Sequence, residues 1–258
     1  MRIDPSQRVA VVTGGSSGIG LAAVNHLLHA GFKVAFFGQS AAHVDEAAVA
    51  LSRQFDGRRI LARCVDLTSP QQVAGFFTDV EDRWRVPDTM ICNAGISPKG
   101  PDGAIPFAQV SLEEWNKVLS VNLTGAMLCC QAVVPAMTAL RFGRIILIGS
   151  IAGRATPKVA GAAYVVSKAA LSGLSRSLLA ACAGTGVTVN IVAPGRIVTE
   201  MVGGPNTEVN RAALKRIPVG RLGEPDDIAN TIGFLASSDA GFINGAIIDV
   251  NGGEFAPL

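Results

Sequence analysis

Tyr164 is the only tyrosine in this 258-residue chain, and Lys168 stands four positions after it. On a helix that spacing sets both side chains on one face. Ser150 precedes the pair, at the end of the apolar run Gly143–Gly149. A phenol, an ammonium and a hydroxyl suit a step that hands over one proton, such as the interconversion of a carbonyl and an alcohol. A phenol's ordinary pKa of about 10 is high for such work at neutral pH. An ammonium about 4 Å away would favour the phenolate by up to about 4 kcal/mol at an effective dielectric near 20. That equals about 3 pH units at about 1.36 kcal/mol each. Ser150 could hydrogen-bond the substrate oxygen and orient it. A Tyr–Lys pair at this spacing is usually incidental by itself; a serine at the carboxyl end of a strand gives it weight. Asn122 is a further candidate, because an amide inside an apolar helix needs a partner. That partner is either a water held near Lys168 or a core hydrogen bond.

A second constellation lies near the start of the chain. An apolar run, Arg8–Thr13, leads into Gly14-Gly15-Ser16-Ser17-Gly18-Ile19-Gly20 and then a helical pattern. Glycines there let the backbone turn tightly and approach a pyrophosphate, while the helix N-terminus offers free N–H groups and the positive end of its dipole. The spacing is G-x-x-x-G-x-G rather than G-x-G-x-x-G, and no Gly-Lys-Ser/Thr of a P-loop follows. Gly38, Gln39 and Ser40 end the second apolar run, where an acidic residue would bind both ribose hydroxyls of NAD. With no carboxylate to repel a 2′-phosphate, either NAD or NADP is admitted and the balance tilts to NADP. Asp66 could accept from an adenine amino group, or equally cap the helix that follows.

These residues need a frame. Strand-like runs at Arg8–Thr13, Lys33–Gly38, Arg59–Val65, Asp88–Cys92, Gly143–Gly149, Val187–Ala193 and Ala246–Val250 alternate with helical patterns. The helices are expected over Gly18–Ala30, Ala41–Gln54, Ser69–Trp84, Leu112–Leu140 (one long or broken region), Ala162–Ala183 and Pro225–Ser237. Continuously apolar strands alternating with helices predict an α/β, doubly wound Rossmann sheet of about seven parallel strands, covered on both faces. No linker or repeat interrupts the series, so residues 1–258 read as one domain. Residues 118–140 carry no charge, and Ala162–Ala183 carries only Lys168 and Arg176. The first stretch has the length of a membrane span, but Asn122, Gln131 and Pro135 interrupt it between two strands. Helices without a polar face are most simply covered by another subunit, which predicts a homo-oligomer and no membrane partner.

Composition narrows the classes further. Hydrophobic residues make up 49% and charged residues 16%, which allows a large core and excludes disorder. A net charge of +2 gives no basic stripe for nucleic acid. The five cysteines lack a C-x-x-C, and the three histidines lack a third ligand in view. They read as free thiols in a reducing cytoplasm and as surface histidines, with no metal site. The segment Met1–Pro5 carries no apolar leader.

The combined motifs resemble those of the short-chain dehydrogenase/reductase family, of the 3-oxoacyl-(acyl carrier protein) reductase type. They are T-G-G-S-S-G-I-G at 13–20, D-L at 66–67, N-A-G at 93–95, V-N-L-T-G at 121–125, Ser150, Y-V-V-S-K at 164–168, P-G-R-I-V-T at 194–199 and G-R-L-G-E-P at 220–225. The resemblance implies hydride transfer between NAD(P) and a secondary alcohol or ketone, with Asn122, Ser150, Tyr164 and Lys168 as a catalytic tetrad. It implies that Lys168 also holds the nicotinamide ribose, that Asn93 and Gly95 line the cofactor cleft, and that Pro194 opens the stretch where Ile197 and Thr199 hold the carboxamide. It implies a homotetramer, a dimer of dimers built on the two charge-poor helices. Three departures stand out. Ser150 and Tyr164 are fourteen apart where thirteen is usual, so the loop between them carries an extra residue beside the substrate. Position 92 is Cys where Asn is common. The segment 180–186 lacks basic residues, which points away from a carrier-protein substrate. Residues 200–217 read as a mobile substrate lid or as a plain surface loop, and Ser97–Phe107 as the opposite wall; neither shows a charge cluster that would select a ligand. The other reading of the whole is a non-catalytic nucleotide-binding regulator on the same fold.

Overall fold

The computed structural model describes residues 4–100, 103–204 and 206–257. Seven strands form: β1 (Val9–Thr13), β2 (Lys33–Gly38), β3 (Ile60–Cys64), β4 (Thr89–Cys92), β5 (Gly143–Ile148), β6 (Val187–Pro194) and β7 (Ile247–Val250). All pair in parallel, in one sheet of order β3-β2-β1-β4-β5-β6-β7. β1, β5 and β6 are buried along their whole length, as strands covered on both faces must be.

Among the described residues eight α-helices accompany the sheet: α1 (Gly18–His29), α2 (Ala41–Ser52), α3 (Pro70–Arg83), α4 (Leu112–Leu119), α5 (Gly125–Leu140), α6 (Ala162–Ala181), α7 (Glu208–Leu214) and α8 (Pro225–Ala236). Leu27, Leu51 and Ile232 of α1, α2 and α8 fill one face of the sheet. Phe76, Val133 and Leu171 of α3, α5 and α6 fill the other. The doubly wound architecture is therefore as the alternating pattern predicts, and the ends of the expected elements move by at most two residues. The order in which strands are added reverses between β1 and β4, which opens a crevice at their carboxyl ends.

Helix starts carry their own chemistry. Ser40, Ser69, Ser111 and Thr207 each accept a hydrogen bond from the backbone N–H three residues on, capping α2, α3, α4 and α7. Ser17, at the start of α1, makes no such bond. The expected helical region Leu112–Leu140 is broken: a π turn at Ser120–Thr124 separates α4 from α5. α5 packs on β4, β5 and α3. Only 33% of the most apolar window in this region is buried, so an apolar face remains open on the isolated chain. Four of the five cysteines are buried; Cys64, at the end of the edge strand β3, is exposed.

Candidate active site

The phosphate turn is built by close approach. Gly14 and Gly18 sit at φ of 64° and 50°, which favours glycine. A Cβ on Gly20 would lie 2.0 Å from the Gly14 carbonyl oxygen and 2.5 Å from Nδ2 of Asn93. Asn93 donates from Nδ2 to the carbonyls of Thr13 and Gly14 at 3.0 and 3.1 Å. Thr13 Oγ1 in turn accepts from the N–H groups of Asn93 and Ala94. The loops after β1 and β4 are thereby stitched together, and Ser16, Ser17 and Ile19 surround an uncapped helix end. That arrangement fits an anionic pyrophosphate, because an uncapped α1 leaves its first N–H groups for a ligand.

Around this turn lie the other expected cofactor positions. Gly38 pairs in register with Cys64, and the Gln39 carbonyl accepts from the Cys64 thiol at 3.3 Å. Arg63, the nearest arginine in the register, pairs with Asp79 of α3 at 2.8 Å. Asp66 accepts from both the N–H and the hydroxyl of Thr68, which holds its carboxyl below the usual range. Asp66 thus closes the turn ahead of α3, while the cap of that helix is Ser69. Pro194 ends β6. Thr199 lies beside Gly18, its Cγ2 3.2 Å from where a Gly18 Cβ would sit. The Ile197 side chain is buried in the core. Arg196 and Val198 bond to Gly223 through their backbones, but among the described residues nothing uses the N–H or carbonyl of Ile197, so it has only its backbone to offer a carboxamide.

The four expected catalytic residues converge from α5's approach, β5 and α6. Lys168 is 7% exposed and donates from Nζ to the Ile148 carbonyl at 2.7 Å. A Cβ on Gly95 would meet both Asn122 Oδ1 and Lys168 Nζ at 3.4 Å. Asn122 lies in the π turn, a form found often at functional sites. Its amide is fully engaged: Oδ1 accepts from Ile96 N–H at 2.8 Å, and Nδ2 donates to the Ile96 carbonyl and to Ser167 Oγ at 3.0 Å each. The core hydrogen bonds expected for this side chain are formed. Ser167, which the sequence does not single out, donates to the Tyr164 carbonyl at 2.7 Å and so links Asn122 to the tyrosine's turn of helix.

The electrostatics differ from the simple ion-pair expectation. Lys168 Nζ stands 5.7 Å from the centroid of the Tyr164 ring and points its proton at Ile148. Burial raises the Tyr164 pKa above its ordinary value, and a hydrogen bond with Ser150 offsets part of that rise. Desolvation is the larger effect, so the phenol holds its proton at neutral pH. Burial also lowers Lys168 to about 8, against a smaller opposing effect of Cys92. A lysine less basic when folded than when unfolded destabilises the fold below about pH 8, and this is relieved as pH rises toward 10.5. Over that gap, at about 1.36 kcal/mol per pH unit, the cost is on the order of 3 kcal/mol. Lys168→Met is therefore expected to melt no lower than the parent at pH 7, despite the Ile148 carbonyl it leaves unpaired. Its advantage should shrink from pH 8 to 10; thermal melts across that range check it, and an advantage that grows with pH contradicts it.

Ser150 and Tyr164 open into a pocket of about 220 Å³, which Ser97, residues 155–160, Met201, Val202 and Phe255 also line. The extended loop after Ser150 is thus one wall, as its extra residue suggests. Arg154 ties that loop to Asp249 of β7 and stacks over Phe255 at 5.2 Å. The segment 200–217 is not a plain loop: it contains α7, whose Asn210 is fully buried and donates to the carbonyls of Gly203 and Gly204. Pro101, Asp102 and Pro205 of the two expected walls, and Met1–Ile3 of the leader reading, lie outside the described residues. Lys99, Lys158, Arg196 and Arg216 gather at this pocket, one from each of the two expected walls and two from outside them. They sit in segments far apart along the chain, so spacing carries no signal of them.

Fold and cleft together define a doubly wound, dinucleotide-binding α/β protein. The family model described as enoyl-(acyl carrier protein) reductase matches residues 14–254. Acetoacetyl-CoA reductase of Shinella zoogloeoides is 39% identical over 249 residues, spanning 96% of this chain and 98% of that protein. A blue fluorescent protein from a metagenomic library, solved with NADPH, superposes with a TM-score of 0.88 at 32% identity, over 96% of this chain and 98% of that one. A 3-oxoacyl-(acyl carrier protein) reductase from Brucella melitensis with bound NAD gives 0.88 at 30% identity, over 99% and 95%. The chain belongs to the short-chain dehydrogenase/reductase family. It is an NAD(P)-dependent oxidoreductase of CH–OH and keto groups rather than a non-catalytic regulator.

Proposed function

We propose that Tyr164 is the acid/base of this oxidoreductase, that Ser150 orients the substrate oxygen, and that Lys168 and Asn122 complete the tetrad. The observation that carries this reading is that Ser150 and Tyr164 line one pocket, with Lys168 Nζ 5.7 Å from the centroid of the Tyr164 ring. The nicotinamide, when bound, gives or takes the hydride. The chain's own part is to hold a proton at the Tyr164 oxygen, where burial keeps it. A neutral phenol can donate to a ketone oxygen; a phenolate must form to accept from an alcohol. Ketone reduction should therefore hold through neutral pH and fall as the phenol ionises, while alcohol oxidation should climb with pH. Profiles of kcat/KM in both directions test it, and two profiles of the same sign overturn it.

The cofactor reading places the pyrophosphate on Gly14–Gly20, with Gln39, Asp66, Asn93, Gly95, Pro194, Ile197 and Thr199 along the cleft and Lys168 at the ribose. NADP is the preferred form, because neither Gly38 nor Gln39 brings a carboxylate to a 2′-phosphate. Gln39→Asp should lower the ratio of kcat/KM for NADPH over NADH at least tenfold, about 1.4 kcal/mol. An unchanged ratio would place the ribose elsewhere.

One domain carries both binding and chemistry, residues 200–217 move as a lid, and the assembly is a homotetramer. The open apolar face of α5 and the exposed Leu140 and Val166 support the last point. Light scattering should report about four chains at micromolar concentration; a stable monomer defeats it. A cytoplasmic location fits Cys92, Cys129, Cys130 and Cys182, which stand as buried thiols.

A further inference from the structure

The pocket in front of Ser150 and Tyr164 has a charge pattern that carbonyl chemistry alone does not require. Its walls include Ile151, Val159, Met201 and Phe255, yet four cations enter it against one carboxylate, Glu254. That carboxylate is engaged: its Oε1 accepts from Nε and Nη2 of Arg216 at 3.0 and 2.8 Å. Lys99 reaches only the Met201 carbonyl, at 3.5 Å. Neither Lys99 nor Lys158 has an acidic partner among the described residues.

Arg196 is held differently. It follows the carboxyl end of β6, the neighbour of the strand that ends beside Ser150. Its Nε donates at 2.7 Å to Oδ1 of Asn210, whose own exposure is 0%. Its Nη2 reaches the Val202 carbonyl at 3.5 Å. Both acceptors are neutral, and among the described residues its Nη1 has no hydrogen-bond partner. A half-buried guanidinium fixed by neutral groups is electrostatically incomplete, and its field is stronger there than in water. Burial indeed makes Arg196 less basic than usual, with Glu254 opposing that effect and Arg216 adding to it. An incoming anion would complete it through a charge-assisted hydrogen bond. The cavity of about 220 Å³ admits a compact body.

We infer that this pocket takes a ketone or secondary alcohol bearing its own carboxylate on a small apolar body, with Arg196 receiving the carboxylate and Lys99 and Lys158 supplying the field at the mouth. A single guanidinium balances the one charge of a carboxylate, and Arg216, the other arginine here, is already paired with Glu254. The inference rests on the oxidoreductase reading for which pocket holds the substrate, and it sets the substrate class within it.

The test compares compact oxo acids with their methyl esters, levulinate and methyl levulinate first, with NADPH and NADH. The acid should give a kcat/KM at least tenfold higher, with an advantage that falls as salt screens the rim. Arg196→Met should erase most of that advantage through KM, and Arg196→Lys should restore part of it. Melting temperatures of both variants are measured alongside, and the acid–ester comparison on the unmodified enzyme needs neither variant. A second readout requires no turnover: titration calorimetry of cyclohexanecarboxylate and its amide into the NADPH-loaded enzyme, the acid binding at least tenfold tighter. Ketones reduced without regard to charge, or a phosphorylated ketone used better than the carboxylate, overturn the inference and leave the reaction class standing. Tight carboxylate binding with no reduction of any ketone supports the charge assignment and removes the Tyr164 mechanism instead.

Discussion

Tyr164→Phe is expected to lower kcat by about a thousandfold, within the range of 10² to 10⁴ typical of a positioned general acid, while the protein still folds and binds its cofactor. At about 1.36 kcal/mol per tenfold, the missing hydroxyl removes roughly 4 kcal/mol of transition-state stabilisation. The substitution deletes one oxygen and keeps the ring that stands 5.7 Å from Lys168 Nζ. Packing in α6 is unchanged, and so is the Ser167 bond to the Tyr164 carbonyl, which belongs to the backbone. Ser150 still accepts from Ala152 N–H at 3.1 Å, so the loop after β5 keeps its turn. The loss should appear in kcat and kcat/KM alike, because the proton is needed only as charge develops on the substrate oxygen. Cofactor fluorescence titration should give a dissociation constant within a few-fold of the parent. Turnover retained within tenfold would mean that another group, or water, supplies the proton.

The parts legible in the sequence are those whose chemistry is local. Gly14, Gly18 and Gly20 announce a turn because their conformations and close contacts are set within a few residues. Tyr164 and Lys168 announce a shared face because helix geometry fixes it. The strands read correctly because a doubly covered parallel strand is apolar along most of its length. What stayed hidden depends on distance through space. The π turn at Asn122 leaves no mark on a run of apolar residues that already has no polar face. α7 is short and follows Gly203-Gly204, so the segment reads as loop until Thr207 is seen to cap it and Asn210 to be buried. The pocket's cations come from segments around 99, 158, 196 and 216, and only the doubly wound order brings them together. The Tyr164 pKa reverses the expected direction because burial, invisible in the sequence, raises it, while Lys168 spends its proton on the Ile148 carbonyl.

Chemistry occupies the carboxyl ends of the strands; the amino ends carry a different kind of charge. There Arg8 and Asp88, 2% and 0% exposed, meet at 2.6 Å between β1 and β4. Arg8 also donates to the Ala236 carbonyl of α8 at 2.9 Å and lies over the rings of Phe32 and Phe142 at 4.7 and 4.6 Å. Asp88 further accepts from Arg85, from Thr89 Oγ1 at 2.8 Å and from Val9 N–H at 3.2 Å. Asp88→Ala strands a guanidinium that burial already makes less basic than usual. Breaking such a pair from one side costs about 3–5 kcal/mol. At about 2–4 °C per kcal/mol for a chain of this size, the melting temperature should fall by roughly 10 °C. Arg85 is 35% exposed and can turn to water, so it compensates little. The cofactor dissociation constant of the folded fraction should not change, since this cluster lies at the far end of β1 from the phosphate turn. Replacing both partners, Arg8→Met with Asp88→Leu, should recover much of the loss, because no unpaired charge then remains. Calorimetry of the single and double variants decides it. A double variant as unstable as Asp88→Ala would show that the bonds of the Asp88 carboxylate to Val9 N–H and Thr89 Oγ1 and the ring contacts of Arg8, rather than the stranded charge, hold this end of the sheet together.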